Sequence, residues 1–444
     1  MATTAGGPTA RARRVCVIGA GSSGIPSAKA LADRGLEFDV YERSDRVGGN
    51  WVFRNRNGMS AAYRSLHINT SRPRMQYADF PMPADYPDFC GHEAVARYFE
   101  SYVDAFDLRR HIQFGVTVTR ATRGENGGWH IETDDGQTRT YDALMVANGH
   151  HWSPRGPDPA PPGRFDGIQF HAHGYIDPAE PHDLRGKRVL VVGMGNSAMD
   201  IAVELSRPGN AARVLVSARR GAWIVPNYLF GKPVDQLGTG IAGLPFPLRA
   251  FIFRLMHRVA VGRLEDFGVP HPDHPPLAAH PTVSSEFLVQ CGRGEIHIRR
   301  GIERLEGDRV HFVDGRDEEI DAIVWCTGYN IVFPFFDPAF LSAPDNTLPL
   351  WLRMVKPEVP DLFFIGLFQP LGAIMPLAEA QAKLAAAVLA GQGQLPSVPA
   401  MRAEMDRDAK AMYARYVPSK RHTMQVDFDP FLARLHRALV EATR

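Results

Sequence analysis

Two short apolar runs stand out along the chain because each is followed by the same glycine spacing. The first, Val15–Gly19, lies in RVCVIGAGSSGIP (Arg14–Pro26), and the second lies in RVLVVGMGNSAMD (Arg188–Asp200). Unbroken apolar runs of this length are what parallel strands buried on both faces require. Gly19, Gly21 and Gly24 then read GxGxxG and predict a tight elbow into a helix over Ser27–Arg34. Gly193, Gly195 and Ala198 read GxGxxA and predict a second elbow, with a helix from about Ser197 to Ser206. A further strand follows each helix: FDVYE, ending at Glu42, and ARVLVSARRGAW, which reaches Arg219 and Arg220.

YDALMVANGH (Tyr141–His150) and DAIVWCTGYN (Asp321–Asn330) share an acid, an apolar run and a small residue near glycine. They predict return strands that close each unit. The pattern therefore predicts an α/β chain with two dinucleotide-binding, Rossmann-like domains, the NADP domain inserted into the FAD domain. The first domain takes 14–154 and 326–444 and ends with LFFIGLFQPLG and a helix over Pro376–Leu389. The second takes 155–325 and carries a lid-like insertion at about 228–285. Residues 1–13 read as a disordered tail. Ser153–Pro162 reads as a linker and Val269–Pro281 as an ordered loop. The aromatic residues Tyr228, Phe230, Phe246, Phe251, Phe253 and Phe267 read as lid or core.

The end of each second strand separates the two elbows chemically. At the first, the backbone of Gly19, Ala20, Gly21, Ser22, Ser23 and Gly24 and the helix N-terminus offer N–H groups to a pyrophosphate, and Glu42 offers acceptors to a ribose. An acid there repels a 2′-phosphate, so the first elbow suits FAD or NAD. At the second, Arg219 and Arg220 pair with a 2′-phosphate, so that elbow suits NADPH. Two such cofactors on one chain point to hydride transfer from nicotinamide to flavin.

Composition narrows the partners. The chain has 444 residues, 44% hydrophobic and 22% charged, with net charge +1, so no bulk field draws nucleic acid or an anionic membrane. Cys16, Cys90, Cys291 and Cys326 form no CxxC, which argues against a redox dithiol and fits a reducing, cytoplasmic setting. No apolar run is long enough for a transmembrane anchor; Ile241–Leu264 is broken by prolines and basic residues and reads as an amphipathic helix packed over a cleft. The histidines of HPDHPPLAAH (His271–His280) have loop spacing, and no metal site is expected.

Beyond the elbows, the chain resembles the flavin-containing monooxygenases, the class B flavoprotein monooxygenases, from about Val15 to Gly391. FDGIQFHAHGY supplies Phe165, Gly167, His171 and Tyr175 in the FxGxxxHxxxY fingerprint of that class. VGGNW, NTSRPRMQYADFP, GNSAMDIA, SARRGAW and GLFQPLGAIMP match it as well; CTGY has Cys326 where the family has alanine. The resemblance implies FAD and NADPH as cofactors, O2 as co-substrate, and a C4a-hydroperoxyflavin that oxygenates small apolar amines or sulfides. It implies a catalytic Asn69 beside the flavin and the nicotinamide. With the elbow residues, the expected cofactor-binding set comprises Arg43, Gly49, Asn50, Trp51, Thr70, Val118, Asn196, Ser197, Asp200 and Gln369. His171 is expected to position NADP⁺ or a hinge. Baeyer–Villiger oxidation of ketones by the same intermediate is an alternative, as is a non-catalytic flavin-binding protein. A homodimer is compatible with the resemblance.

Overall fold

Each of the two apolar runs forms the middle strand of a five-stranded parallel sheet. The computed structural model describes residues 14–237, 243–417 and 423–444. The expected tail and the first two residues of Ile241–Leu264 lie outside the described residues. In chain order the elements used below are β1 (Arg14–Ile18), α1 (Gly24–Ala32), β2 (Glu37–Glu42), β3 (Ile112–Phe114), β4 (Ala143–Val146), β5 (Ile168–His171), β6 (Arg188–Val192), α2 (Asn196–Leu205), β7 (Arg213–Ala218), α3 (Phe246–Ala260), β8 (Ile296–Arg300), β9 (Ala322–Trp325), β10 (Leu362–Phe364), β11 (Gln369–Leu371) and β12 (Gln425–Asp427).

The first sheet has the order β10-β4-β1-β2-β3 and the second β8-β7-β6-β9-β5. The two central strands are held alike. Ile18 lies opposite Tyr41 on one side and Val146 on the other; Val192 lies opposite Ser217 and Trp325. The acid that opens each return segment has a defined task. Asp142 Oδ2 accepts from the Arg14 backbone N–H at 2.7 Å, and Asp321 Oδ2 accepts from that of Arg188 at 2.7 Å. A carboxylate thus ties the start of each central strand to its neighbour.

Two compact units result. One takes the residues up to Ser60, Thr70–Ser153 and Asn330–Arg444; the other takes Ala61–Asn69 and Pro154–Tyr329. The second unit therefore includes a short segment from inside the expected 14–154 portion.

Local differences from the sequence pattern have local causes. α1 starts at Gly24, not Ser27, because the Gly24 and Ile25 N–H groups already bond the Gly21 carbonyl at 3.0 and 3.2 Å. The insertion at 228–285 is closed at its base by Ile224–Val225 pairing in parallel with Thr282–Val283. Its aromatic residues divide. Phe267 packs against the second unit's core, and Phe253 lies edge-on to Trp223 at 6.1 Å. Tyr228, Phe230 and Phe251 are instead 46%, 73% and 62% exposed, so they are not core. α3 buries only Ala250 and His257, which leaves Leu248, Phe251, Leu255 and Val259 facing outward.

The glycines that end the central strands leave no room for a side chain. Gly19 has φ +101°, and a Cβ there would sit 2.6 Å from the Ala147 carbonyl oxygen; a Cβ on Gly24 would sit 1.8 Å from the Gly19 oxygen. Gly19→Ala is expected to push β1 from β4 and to yield protein largely free of flavin, with a lower melting temperature. The flavin-to-protein absorbance ratio and a thermal scan check this; a fully yellow variant would contradict the reading.

Candidate functional site

The first elbow has the cradle a pyrophosphate needs. Gly21 faces Gly49 so closely that a Cβ on Gly49 would lie 3.2 Å from the Gly21 Cα. The single turn Gly49–Trp51 follows Gly48, whose N–H bonds the Ala20 carbonyl at 3.1 Å; Asn50 and Trp51 stay half-buried. Glu42 is 5% exposed. Its Oε2 accepts from the Ala20 N–H at 2.7 Å and its Oε1 from the Ser44 N–H at 2.8 Å. Burial raises the Glu42 pKa, and the two N–H bonds oppose that rise. Each carboxylate oxygen keeps a lone pair for a hydroxyl. The close Gly21–Gly49 approach, with an acceptor pair at the end of β2, fits the adenosine diphosphate half of FAD.

Other expected residues of this unit have varied places. Ser22 accepts the Tyr77 hydroxyl on its carbonyl at 2.6 Å, and the Ser23 carbonyl accepts from Ser27 Oγ at 2.7 Å. Thr70 is buried and Arg43 exposed. Gln369 on β11 lies opposite Gln425 on β12. Val118 is committed to a hydrophobic core with Trp129 and Ile131, so its side chain packs there.

The second elbow repeats the first. Gly193 has φ +136°, and a Cβ would sit 2.7 Å from the Cys326 carbonyl oxygen, the counterpart of Ala147. Gly195 precedes α2, and Ala198 is fully buried against the core. Ser197 is half-buried. Asn196 is engaged within the protein: its Oδ1 accepts from the Val283 N–H at 3.1 Å. Asp200 accepts the Tyr63 hydroxyl at 2.5 Å. Burial raises the Asp200 pKa to about 6, with Glu204 and Glu286 adding to the rise and Tyr63 and His67 opposing it.

The two arginines differ. Arg219 Nη1 donates to the Asp158 carbonyl at 3.3 Å. Arg220 Nε lies 3.3 Å from Asp273 Oδ2 in an ion pair that is half open to solvent. Asp273 lies far along the chain inside a histidine- and proline-rich loop, and no local pattern marks it. Both guanidinium groups follow β7, where a 2′-phosphate would need them, and the donor set fits NADPH.

The fingerprint residues brace this unit. Phe165 is 5% exposed in a core with Leu190 and Leu215. Gly167 leaves space for its neighbours, since a Cβ would lie 2.6 Å from the Asp321 carbonyl oxygen. The Tyr175 hydroxyl donates to Glu204 of α2 at 2.8 Å. His171 ends β5, and its Nδ1 accepts from the His173 N–H at 3.0 Å. Burial, helped by neighbouring His173, pushes its pKa down to about 4, so the ring is neutral at pH 7.

Asn69 ends the segment that packs with the second unit. It is half-buried, and among the described residues none engages its amide in a hydrogen bond.

The chain matches the flavin-binding monooxygenase-like family over residues 12–442. It belongs to that family. Relatives include flavin-containing monooxygenase 5 of Rattus norvegicus, 36% identical over 439 residues, covering 94% of this chain and 80% of the relative. Dimethylaniline monooxygenase (N-oxide-forming) 2 of Oryctolagus cuniculus is 35% identical over 440 residues, covering 94% and 81%. Among solved structures, S-allyl-L-cysteine S-oxygenase from Allium sativum superposes with a TM-score of 0.72 at 25% identity, covering 97% of this chain and 89% of that one. Cyclohexanone monooxygenase in its open form shares the fold, with a TM-score of 0.70 at 17% identity, covering 96% and 97%. As a member of the family, the chain is a flavoprotein monooxygenase that uses FAD and NADPH. No described helix is long and apolar enough to cross a membrane.

Arg219→Ala is expected to raise the KM for NADPH about tenfold or more, the cost of losing a charge-assisted contact, and to leave that for NADH nearly unchanged. Arg220→Ala should cost less, because Asp273 already takes part of that charge. Steady-state kinetics with both nucleotides checks this. His171 sets a pH signature. Its folded pKa lies below the unfolded value, so the unfolded chain binds the extra proton and stability falls as pH drops from about 6.5 toward 4. His171→Gln should flatten that part of a denaturation-against-pH curve; an unchanged slope would show that His171 is not the group responsible.

Proposed function

We propose that the chain catalyses NADPH- and O2-dependent oxygenation of small apolar molecules at a soft nitrogen or sulfur. The observation that carries this reading is the pair of similar elbows whose second strands lead to opposite charge, Glu42 at the end of one and Arg219 with Arg220 just after the other. When bound, FAD takes hydride from NADPH and activates O2. The residues bind, orient and shelter. Gly19, Gly21 and Gly24 let the backbone approach the FAD pyrophosphate, and Glu42 holds the ribose. Gly193 and Gly195 do the same for NADPH, with the two arginines selecting its extra phosphate. Neutral His171 serves as a positioning group rather than a proton donor at pH 7.

Asn69 is the residue assigned to the reacting region. A primary amide both donates and accepts, and it does so without charge at any working pH. With no partner among the described residues, its amide is available to the cofactors. In a site closed to water, such contacts slow the wasteful release of peroxide. The relatives named for N-oxide formation and S-oxygenation support amines and sulfides as substrates. The likeness to cyclohexanone monooxygenase is one of fold, and ketones therefore enter as a comparison substrate. The four cysteines are all free, which supports a reducing, cytoplasmic location. Assembly as a homodimer is part of the same reading.

The test is NADPH consumption by the purified yellow protein with thioanisole, N,N-dimethylaniline or cyclohexanone, with products followed by mass spectrometry under ¹⁸O2. Sulfoxide or N-oxide carrying one labelled oxygen is expected. Asn69→Leu should keep flavin and NADPH oxidation but divert most turnover to hydrogen peroxide. Lactone as the main product would move the chain to ketone oxygenation, and no labelled product from any of the three would sink the proposal.

A further inference from the structure

The segment Ala61–Asn69 lies in the chain between two stretches of one unit, yet belongs to the other. Three of its residues, Tyr63, Arg64 and Leu66, hold it there. The Tyr63 hydroxyl donates to Asp200 on α2 at 2.5 Å, and its ring, 3% exposed, sits edge-on to Tyr175 with 6.2 Å between centroids. The Arg64 N–H bonds the Ile176 carbonyl at 2.8 Å, and Arg64 Nε bonds Asp177 Oδ2 at 2.9 Å. Leu66 packs against the same core as Tyr63, Tyr175 and Ala198. Ser60 and Thr70, on either side, belong to the first unit.

Asp200 and Glu204 lie one turn apart on α2, and each accepts a tyrosine hydroxyl: Asp200 from Tyr63, Glu204 from Tyr175. One of those tyrosines belongs to the fingerprint segment. The other lies six positions before Asn69. The helix that opens at the nucleotide elbow therefore anchors, on a single face, the strap that ends in Asn69.

We propose that Tyr63 is a positioning residue: by latching Ala61–Asn69 to α2, it ties the placement of Asn69 to the helix that opens at the NADP-binding elbow. The inference rests on the functional reading above, which assigns Asn69 to the reacting region. It adds that nucleotide binding is felt at Asn69 through α2. A ligand that seats on the Gly193–Gly195 elbow stiffens the start of α2, and the latch passes this to the strap. Tyr63 need touch neither cofactor.

The experiment is hydrogen exchange on the FAD-loaded, full-length protein, with and without NADP⁺, for the wild type and Tyr63→Phe. Phenylalanine keeps the packing on Tyr175 and removes only the hydroxyl. In the wild type, NADP⁺ should slow exchange across residues 61–69. In Tyr63→Phe that protection should fall about fivefold, the effect of one hydrogen bond of ordinary strength. Flavin content and the NADP⁺ dissociation constant should stay within about twofold of wild type on the same scale. Peroxide released per NADPH should rise, with little change in the KM for NADPH.

Unchanged exchange at 61–69 would overturn the latch. Equal acceleration across the whole second unit, β6 included, would overturn it too, since that describes a general loss of stability. If Tyr63→Phe does not fold, Arg64→Ala cuts the outer anchor while leaving the core intact, and the same pattern is expected of it. The exchange readout needs no substrate. If it behaves as expected while the wild type oxygenates nothing, the functional reading falls and the latch stands.

Discussion

Each nucleotide unit depends on how closely the glycine at the end of its central strand passes the carbonyl leaving the neighbouring strand. Gly19 lies against Ala147, and Gly193 against Cys326, in each case with less space than a methyl group needs. At the opposite end of the same strands, Asp142 and Asp321 bond the first backbone N–H of β1 and β6. Each central strand is thus fixed to its return strand at both ends. The direction of the elbow follows from that, and so does the aim of the helix N–H groups that meet a phosphate. Widening the contact at either glycine would turn the helix as well as loosen the sheet.

On this repeated frame the two units differ mainly in what stands beside the elbow. The first ends β2 in a buried carboxylate held by two backbone N–H groups; the second follows β7 with two guanidinium groups, one of them paired to Asp273. Burial raises the cost of keeping Glu42 charged, and the Ala20 and Ser44 N–H groups offset part of it. The same architecture thus sets hydrogen-bond acceptors beside one elbow and cations beside the other. The fingerprint segment belongs to the frame of the second unit: Phe165 fills its core, Gly167 permits a close approach, and Tyr175 braces α2.

What could be read from the sequence was backbone chemistry within a short stretch. Glycines at fixed spacing, apolar runs and an acid before a return strand each act within a few residues or between adjacent strands. They lead to the two parallel sheets, the inserted topology and the charge contrast at the elbows. Partners remote in sequence were not legible. Nothing near Arg220 announces Asp273, and nothing near Asp200 announces Tyr63, because those pairs exist only after folding. Asn196 and Asp200 are expected nucleotide contacts by their place in the motif; that Asn196 Oδ1 also accepts from the Val283 N–H, and Asp200 Oδ2 from the Tyr63 hydroxyl, has no signal in the sequence. The exposed aromatics of the insertion show a related limit. Aromatic richness marks a segment as apolar but does not say which of its faces is covered.

The excursion of Ala61–Asn69 matters to anyone exchanging modules between members of this family. Cutting at 154 and 329 looks like a clean transplant, since both points flank the second unit. A chimaera made that way would receive Asp200, Ile176 and Asp177 from the donor and keep the Tyr63 strap of the host. Two separately inherited surfaces would then meet at one buried hydroxyl and one surface guanidinium. The exchangeable unit is discontinuous, and a working graft has to carry the small strap together with the large span.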